Sequence, residues 1–91
     1  MNDKSRIRIY GSDYCGFCVA ARRLLAEKGL DFEDVPVGGD PALRKKMEEM
    51  SGRRTIPQIF IDDRPIGGFD ELYALNKSGE LDRMLGIGES A

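Results

Sequence analysis

The spacing of Cys15 and Cys18 constrains this chain more than any other feature, because they are its only two cysteines. The loop that a bridge between them would close holds just Gly16 and Phe17, too short for a disulfide to staple a fold. The pair therefore reads as chemistry rather than scaffold. Two thiolates make half of a tetrahedral zinc site, and a chain without histidine cannot complete it in the usual way. The plain alternative is an inert buried dithiol, since free cysteine packs as a small hydrophobe. The surroundings argue against it. Arg6-Ile7-Arg8-Ile9-Tyr10 alternates as a strand does, and Gly11-Ser12-Asp13 turns the backbone. From Gly16 to Lys28, Ala21, Leu24 and Leu25 then share one helical face, and Gly29 supplies a stop. The cysteines open a helix.

That placement matters because the nucleophile in disulfide exchange is the thiolate, and an unperturbed cysteine is only a few per cent ionised at neutral pH. A cysteine just ahead of a helix faces the unpaired first-turn amides and the positive end of the dipole, which stabilise its anion. Cys15 is therefore expected to attack first. Cys18, one turn inside and less exposed, is expected to attack second.

The remaining pattern builds outward from this junction. Phe32, Val35 and Val37 suggest a second strand, parallel to the first, and Asp40-Pro41 forms a cap and first-turn proline for a helix with Leu43, Met47 and Met50 on its inner face. Gly52 ends that helix. Gln58 to Ile61 is a short apolar run suited to a central strand, and Asp62-Asp63 is a hairpin connection into Arg64-Pro65-Ile66. Pro65 cannot donate to a ladder, which places that strand at the sheet edge. Gly67-Gly68 turns into a third helix with Asp70 near its N-cap and Leu72 and Leu75 inward, followed by a tail helix carrying Leu81, Met84 and Leu85. Gly86 to Ala91 is expected to fray. The β-α-β-α-β-β-α order predicts an α/β protein resembling a minimal thioredoxin fold, with a four-stranded mixed sheet flanked by helices. At 91 residues, 1–91 is expected to form a single domain.

Charge and hydropathy exclude several classes. A net charge of -2 provides no field to gather nucleic acid or an anionic membrane surface. The opening Met1 to Tyr10 lacks the apolar core of a secretion signal, and no apolar run approaches the ~20 residues of a membrane span. The expectation is a cytoplasmic protein with no nucleic acid and no membrane as partners.

Two further segments are candidates for a ligand cleft. Pro57, in Thr55-Ile56-Pro57, either merely opens a strand or forms a cis peptide that presents the Ile56 backbone to an extended peptide, such as the cysteinyl unit of glutathione. Gly67-Gly68 either makes a tight turn or clears space for an anion. In the second case the amides of Phe69 and Asp70 take a carboxylate while the Asp70 side chain caps the helix or holds an ammonium, features of the γ-glutamyl end of glutathione. Arg44, Arg53 and Arg54 are within the pool of residues able to meet a second carboxylate, although surface arginines mostly serve solvation. Arg22 and Arg23 are read as the solvated face of the first helix.

Taken together, these residues resemble the glutaredoxin family, in particular its short bacterial-type dithiol members. The resemblance runs from Ile7 to Leu85 and rests on Tyr10 with Cys15-Gly-Phe-Cys18, on Ser51-Gly-Arg-Arg-Thr-Ile-Pro-Gln-Ile-Phe-Ile61, and on Ile66-Gly-Gly-Phe-Asp-Glu-Leu-Tyr-Ala-Leu75. It implies a glutathione-dependent thiol-disulfide oxidoreductase that reduces protein-glutathione mixed disulfides and protein disulfides. Cys15 and Cys18 would be the catalytic thiols, with Thr55, Ile56, Pro57, Gly68, Phe69 and Asp70 along the glutathione groove. Arg44 falls where the family has a polar or basic residue able to reach the glycyl carboxylate.

The sequence departs from the family pattern at three places. Gly16-Phe17 stands where the commonest dithiol members carry Pro-Tyr, and glycine there is similar to the single-cysteine, cluster-binding branch. Ser12 stands where many members place a lysine, and Phe69 where a small residue or cysteine is common. The resemblance thus implies an alternative function, a cluster carrier in which Cys15 and glutathione from two subunits ligate a [2Fe-2S] cluster. A monomer is expected, dimeric only if cluster-bound, with no metal site in the monomer. A glutaredoxin-like protein reduced by thioredoxin reductase is a nearer rival, and the Gly67-Gly68-Phe69-Asp70 segment argues against it.

Overall fold

The computed structural model describes residues 6–86. The first alternating run forms β1 (Ile7–Gly11), whose side chains are almost all buried because it lies inside the sheet. Its apolar residues face both layers, as a central strand requires. The sheet order is β2-β1-β3-β4, where β2 is Glu33–Pro36, β3 is Gln58–Ile61 and β4 is Arg64–Gly67. β1 runs parallel to β2 and antiparallel to β3, and β3 is antiparallel to β4. The helices are α1 (Gly16–Glu27), α2 (Pro41–Ser51), α3 (Phe69–Ser78) and α4 (Glu80–Leu85). This is the thioredoxin-type architecture expected from the sequence, extended by α4.

Strand alternation divides the core in two. Ile7 and Ile9 of β1 with Ile59 and Ile61 of β3 pack on Ala21 and Leu25 of α1, Leu72 of α3 and Leu81 of α4. On the other face, Tyr10 and Phe60 meet edge to face, 5.3 Å between ring centroids, and with Val37 they cover Met47 of α2. Pro65 stands in the edge strand β4, as its missing N–H requires. The hairpin ahead of it has Asp62 and Asp63 both at positive φ, 53° and 67°, the type I′ geometry that suits the twist of the flanking strands. Asp62 also holds Arg6 through two contacts of 2.9 and 2.6 Å.

Several local expectations are corrected. β2 ends at Pro36, so Val37 lies beyond the strand, its N–H on the Gly11 carbonyl at 3.0 Å and its side chain in the second core. Met50 is 37% exposed, because the core beneath α2 closes over Leu43 and Met47 and the last helical turn runs past it. Asp40 does cap α2, its carboxylate accepting the Leu43 N–H at 3.1 Å, and Gly52 ends the helix in the left-handed region at φ 76°. The frayed tail expected after Gly86 lies outside the described residues, as does Met1 to Ser5. No described helix is long and apolar enough to cross a membrane.

Candidate active site

Cys15 is itself the N-cap of α1, in extended backbone (φ −100°, ψ 119°), and its sulfur accepts the Cys18 N–H at 3.3 Å. A first-turn amide that no carbonyl can reach is thus spent on the sulfur, and the interaction strengthens when the sulfur is negative. Burial pushes the Cys15 thiol up, but hydrogen bonds from the Cys18 thiol and from the amides of Cys18 and Phe17, with the Arg22 charge behind them, outweigh it and hold Cys15 below the ordinary thiol range. Cys18 is fully buried. Burial, the hydrogen bond to Cys15 and the charge of Cys15 push it up to about 11. Like charges cannot share this site cheaply, so one thiol ionises readily and its neighbour holds its proton.

Two residues that sequence reading assigned elsewhere shape this pair. Gly11, which the sequence pattern puts at the start of a turn, closes β1, and a Cβ there would sit 2.6 Å from the Cys18 sulfur. Only glycine lets the strand pass this close to the buried thiol. Arg22, read as a solvated residue, turns back toward the loop instead. Its guanidinium donates to Asp34 at 2.7 Å and to the Ser12 carbonyl at 3.1 Å, with only 21% of the side chain exposed. The reason is local: Asp34 on the edge strand β2 offers a carboxylate within one arginine length of the loop. Helical periodicity, which sees only its own helix, could not have revealed that partner.

Beside the cysteines lies a cleft of about 140 Å³. It is lined by Arg53, Thr55, Ile56 and Pro57 from the segment before β3, by Gly68, Phe69, Asp70 and Glu71 from the start of α3, and by Phe17 of α1. The Ile56-Pro57 peptide is cis, and the Ile56 carbonyl oxygen stands 3.8 Å from the Cys15 sulfur, linking the cleft to the thiol. Six of the predicted ligand residues, Thr55, Ile56, Pro57, Gly68, Phe69 and Asp70, therefore converge on one concavity. Arg44 is not among its walls. It lies exposed in the first turns of α2, whereas Arg53 does line the cleft.

The N-terminus of α3 differs in detail from expectation. Gly68, not Asp70, occupies the N-cap, and Glu71 reaches back to accept the Gly68 N–H at 2.8 Å, half of a capping box. That hydrogen bond, backed by its own backbone amide and by Arg53 at 3.6 Å, holds the Glu71 carboxyl below the usual carboxylate range. Asp70 is freed from capping, and the first-turn amides of Phe69 and Asp70 have no carbonyl within α3 to pair with. Phe69 fills the space between the two helices, its ring 6.0 Å from that of Phe17 and 5.9 Å from that of Tyr73. Among the described residues, no three of His, Cys, Asp and Glu gather as metal ligands would.

The arrangement can present one thiolate to a disulfide, hold a second thiol behind it and seat a small anionic peptide alongside. Residues 7–66 match the family model described as Glutaredoxin. Glutaredoxin 3 of Escherichia coli is 46% identical over 81 residues, covering 89% of this chain and 98% of that protein. The solution structure of glutaredoxin from Brucella melitensis superposes with a TM-score of 0.78 at 42% identity, over 96% of this chain and 95% of that one. A crystal structure of a buckwheat glutaredoxin-glutathione complex superposes at a TM-score of 0.83 and 25% identity, covering 90% of this chain and 77% of the other.

Proposed function

Because this chain belongs to the glutaredoxin family and is a glutathione-dependent disulfide oxidoreductase, we propose that Cys15 is its attacking thiolate, Cys18 its resolving thiol, and the cleft between Thr55–Pro57 and Gly68–Asp70 its glutathione site. The observation that carries this reading is the opposite treatment of two adjacent thiols: Cys15 held below the ordinary range at a helix N-cap, Cys18 buried and pushed up to about 11.

In the first half-reaction the Cys15 thiolate attacks the glutathione sulfur of a protein mixed disulfide. The S–S bond breaks, the protein sulfur leaves as thiolate and takes a proton from water, and Cys15 becomes glutathionylated. A second glutathione thiolate then attacks the glutathionyl sulfur, giving oxidised glutathione and restoring the Cys15 thiolate. Cys18 is not needed for this route. With a disulfide internal to a protein, Cys15 forms the mixed disulfide, and Cys18 surrenders its proton and attacks the Cys15 sulfur. That releases the reduced protein and leaves a Cys15–Cys18 bridge for two glutathiones to reduce.

The bound glutathione would place its cysteinyl backbone along Ile56 and its γ-glutamyl carboxylate on the amides of Phe69 and Asp70, with the Asp70 side chain toward the ammonium. Arg53, inside the cleft, is the better placed partner for the remaining carboxylate than Arg44. The cluster-carrier alternative would use Cys15 but has no role for Cys18, and a second thiol buried one helical turn behind Cys15, whose own amide donates to the Cys15 sulfur at 3.3 Å, favours exchange. The test is NADPH consumption coupled through glutathione reductase with a glutathione mixed disulfide as substrate. Wild type and Cys18→Ser should turn over, and Cys15→Ser should lose at least about 10³-fold, since removing the nucleophile removes the covalent route. An active Cys15→Ser protein would overturn the assignment of the nucleophile. An inactive wild type that turns brown on anaerobic reconstitution would establish the cluster reading instead.

A further inference from the structure

Strand β3 is apolar except at its first residue. Gln58 is 1% exposed in a strand otherwise made of Ile59, Phe60 and Ile61. It pairs with Tyr10 across β1, which puts both on the α2 side of the sheet with Phe60. A primary amide in such a place is a local conflict with its apolar surroundings, and conflicts of this kind cluster where function demands them. Its hydrogen bonds show what the conflict achieves. The Gln58 Nε2 donates to the Thr55 carbonyl at 2.9 Å and to the Thr55 Oγ1 at 3.2 Å. A carbonyl can only accept, so the amide nitrogen must be the group that faces it. Among the described residues the other end of the amide, Oε1, is buried without a partner. Gln58 therefore gives up one acceptor to hold both the main chain and the side chain of Thr55.

Thr55 is exposed, yet it forms the cleft wall that leads into Ile56, whose carbonyl stands beside the Cys15 sulfur. The 53–56 segment belongs to no helix or strand; Ser51 at the end of α2 holds its first residue through the Arg53 N–H at 3.1 Å, and the Gln58 contacts hold its far side at Thr55. We infer that Gln58 is a positioning residue for the glutathione site: from beneath the sheet it pins Thr55, and through it the Thr55–Ile56 edge, in the extended shape a bound peptide requires. The inference rests on the cleft being the glutathione site. It adds a specificity for order. Gln58 does not line the cleft, and its side chain bonds Thr55 rather than either sulfur, so its loss should weaken ligand capture while leaving the thiolate alone.

The test compares wild type with Gln58→Leu and Gln58→Met, two substitutions of similar volume, at a temperature where circular dichroism shows each to be folded. The expected result is a rise of about five- to tenfold in KM for glutathione, the loss of roughly one or two net hydrogen bonds. Turnover number and the rate of Cys15 alkylation by iodoacetamide should stay within about twofold of wild type, since neither depends on that anchor. NMR order parameters of the 53–56 amides should fall relative to those of β3. Unchanged KM and order parameters with only a lower melting temperature would make Gln58 merely structural and overturn the inference. So would a parallel loss of alkylation rate, which would mean that the whole site had collapsed. A wild-type protein with no glutathione turnover would instead count against the functional reading, and the order parameters alone would then decide the role of Gln58.

Discussion

Helix α1 begins with a side chain already seated on its first-turn amides, whereas helix α3 begins with a residue that has no side chain at all. At α1 the Cys15 sulfur accepts the Cys18 N–H, so the anion stabilised by the helix end belongs to the protein and stays there. At α3, Gly68 is the N-cap and Glu71 takes the Gly68 N–H from the side, leaving the amides of Phe69 and Asp70, two residues that line the cleft, with no carbonyl partner inside the helix. Both termini carry the same partial positive charge. In the function proposed above, the filled one makes a nucleophile and the open one a receptor. Their difference comes down to which residue type stands at the cap.

If the two ends divide chemistry from binding, damage to the second should appear in KM alone, and this is the sharpest way to break the comparison. Asp70→Ala removes the only carboxylate expected to meet the ligand ammonium while keeping the α3 amides in place. Hydrogen bonds to charged groups are worth about 1.5–3 kcal/mol, and an exposed site delivers the lower end, so KM for glutathione should rise about tenfold. Turnover and the Cys15 alkylation rate should hold within about twofold. A fall in alkylation would show that the two termini are not separate.

A smaller effect is expected from the side of α1. Arg22 is the cation that the loop itself lacks, since Ser12 offers only its carbonyl to the guanidinium. Its charge favours the thiolate of Cys15, and Cys15 lies below the ordinary thiol range. Alkylation proceeds through the thiolate, so in a Cys18→Ser background the rate should reach half its maximum at a pH below the ordinary value of about 8.5. Arg22→Ala takes away a stabiliser of the charged form, which moves that midpoint upward. The rate at pH 7 should drop about two- to fivefold and converge with the Arg22-containing protein at high pH, where both are fully ionised. Arg22→Lys keeps the charge without the fork and should fall between them. Equal profiles for all three would remove Arg22 from the site.

The contrast between the two ends also explains what the sequence disclosed. What chain-local chemistry sets was legible: Cys15 ahead of a helix, Asp40-Pro41 opening α2, Asp62-Asp63 turning a hairpin, and Thr55 to Pro57 and Gly68 to Asp70 as segments that line one cleft. What escaped depends on distant partners. Arg22 reads as a solvated helix residue until β2 places Asp34 within 2.7 Å of it, and Gly11 reads as a turn until α1 brings Cys18 against its backbone. Gln58 reads as one more residue of a buried strand because its partner, Thr55, is a loop residue with no periodicity to betray it. Asp70 reads as a cap from its carboxylate alone, but the cap stands two residues earlier, at Gly68, whose lack of a side chain hides it in that role and whose N–H Glu71 accepts. Arg44 and Arg53 were equivalent as charges, and only the fold says which of them faces the cleft.

Helix α2 supplies the control for the whole comparison, because its N-terminus has the same dipole and an ordinary cap but no place in the cleft. Asp40 accepts the Leu43 N–H at 3.1 Å, Pro41 fills the first turn, and neither residue lines the site. If a helix N-terminus matters here only where a sulfur or a ligand meets it, Asp40→Ala should cost stability and nothing else. Loss of such a cap is worth about 1 kcal/mol. In a chain of this size that lowers the melting temperature by roughly 4–8 °C. At a temperature well below the transition, KM for glutathione, turnover and the Cys15 alkylation profile should all match wild type. A shift in KM would mean that α2 transmits order to the 53–56 segment through Ser51, whose hydroxyl accepts the Arg53 N–H at 3.1 Å and so ties that segment to the end of the helix. The cap would then be part of the receptor, and the division between a catalytic end and a binding end would have to include a third.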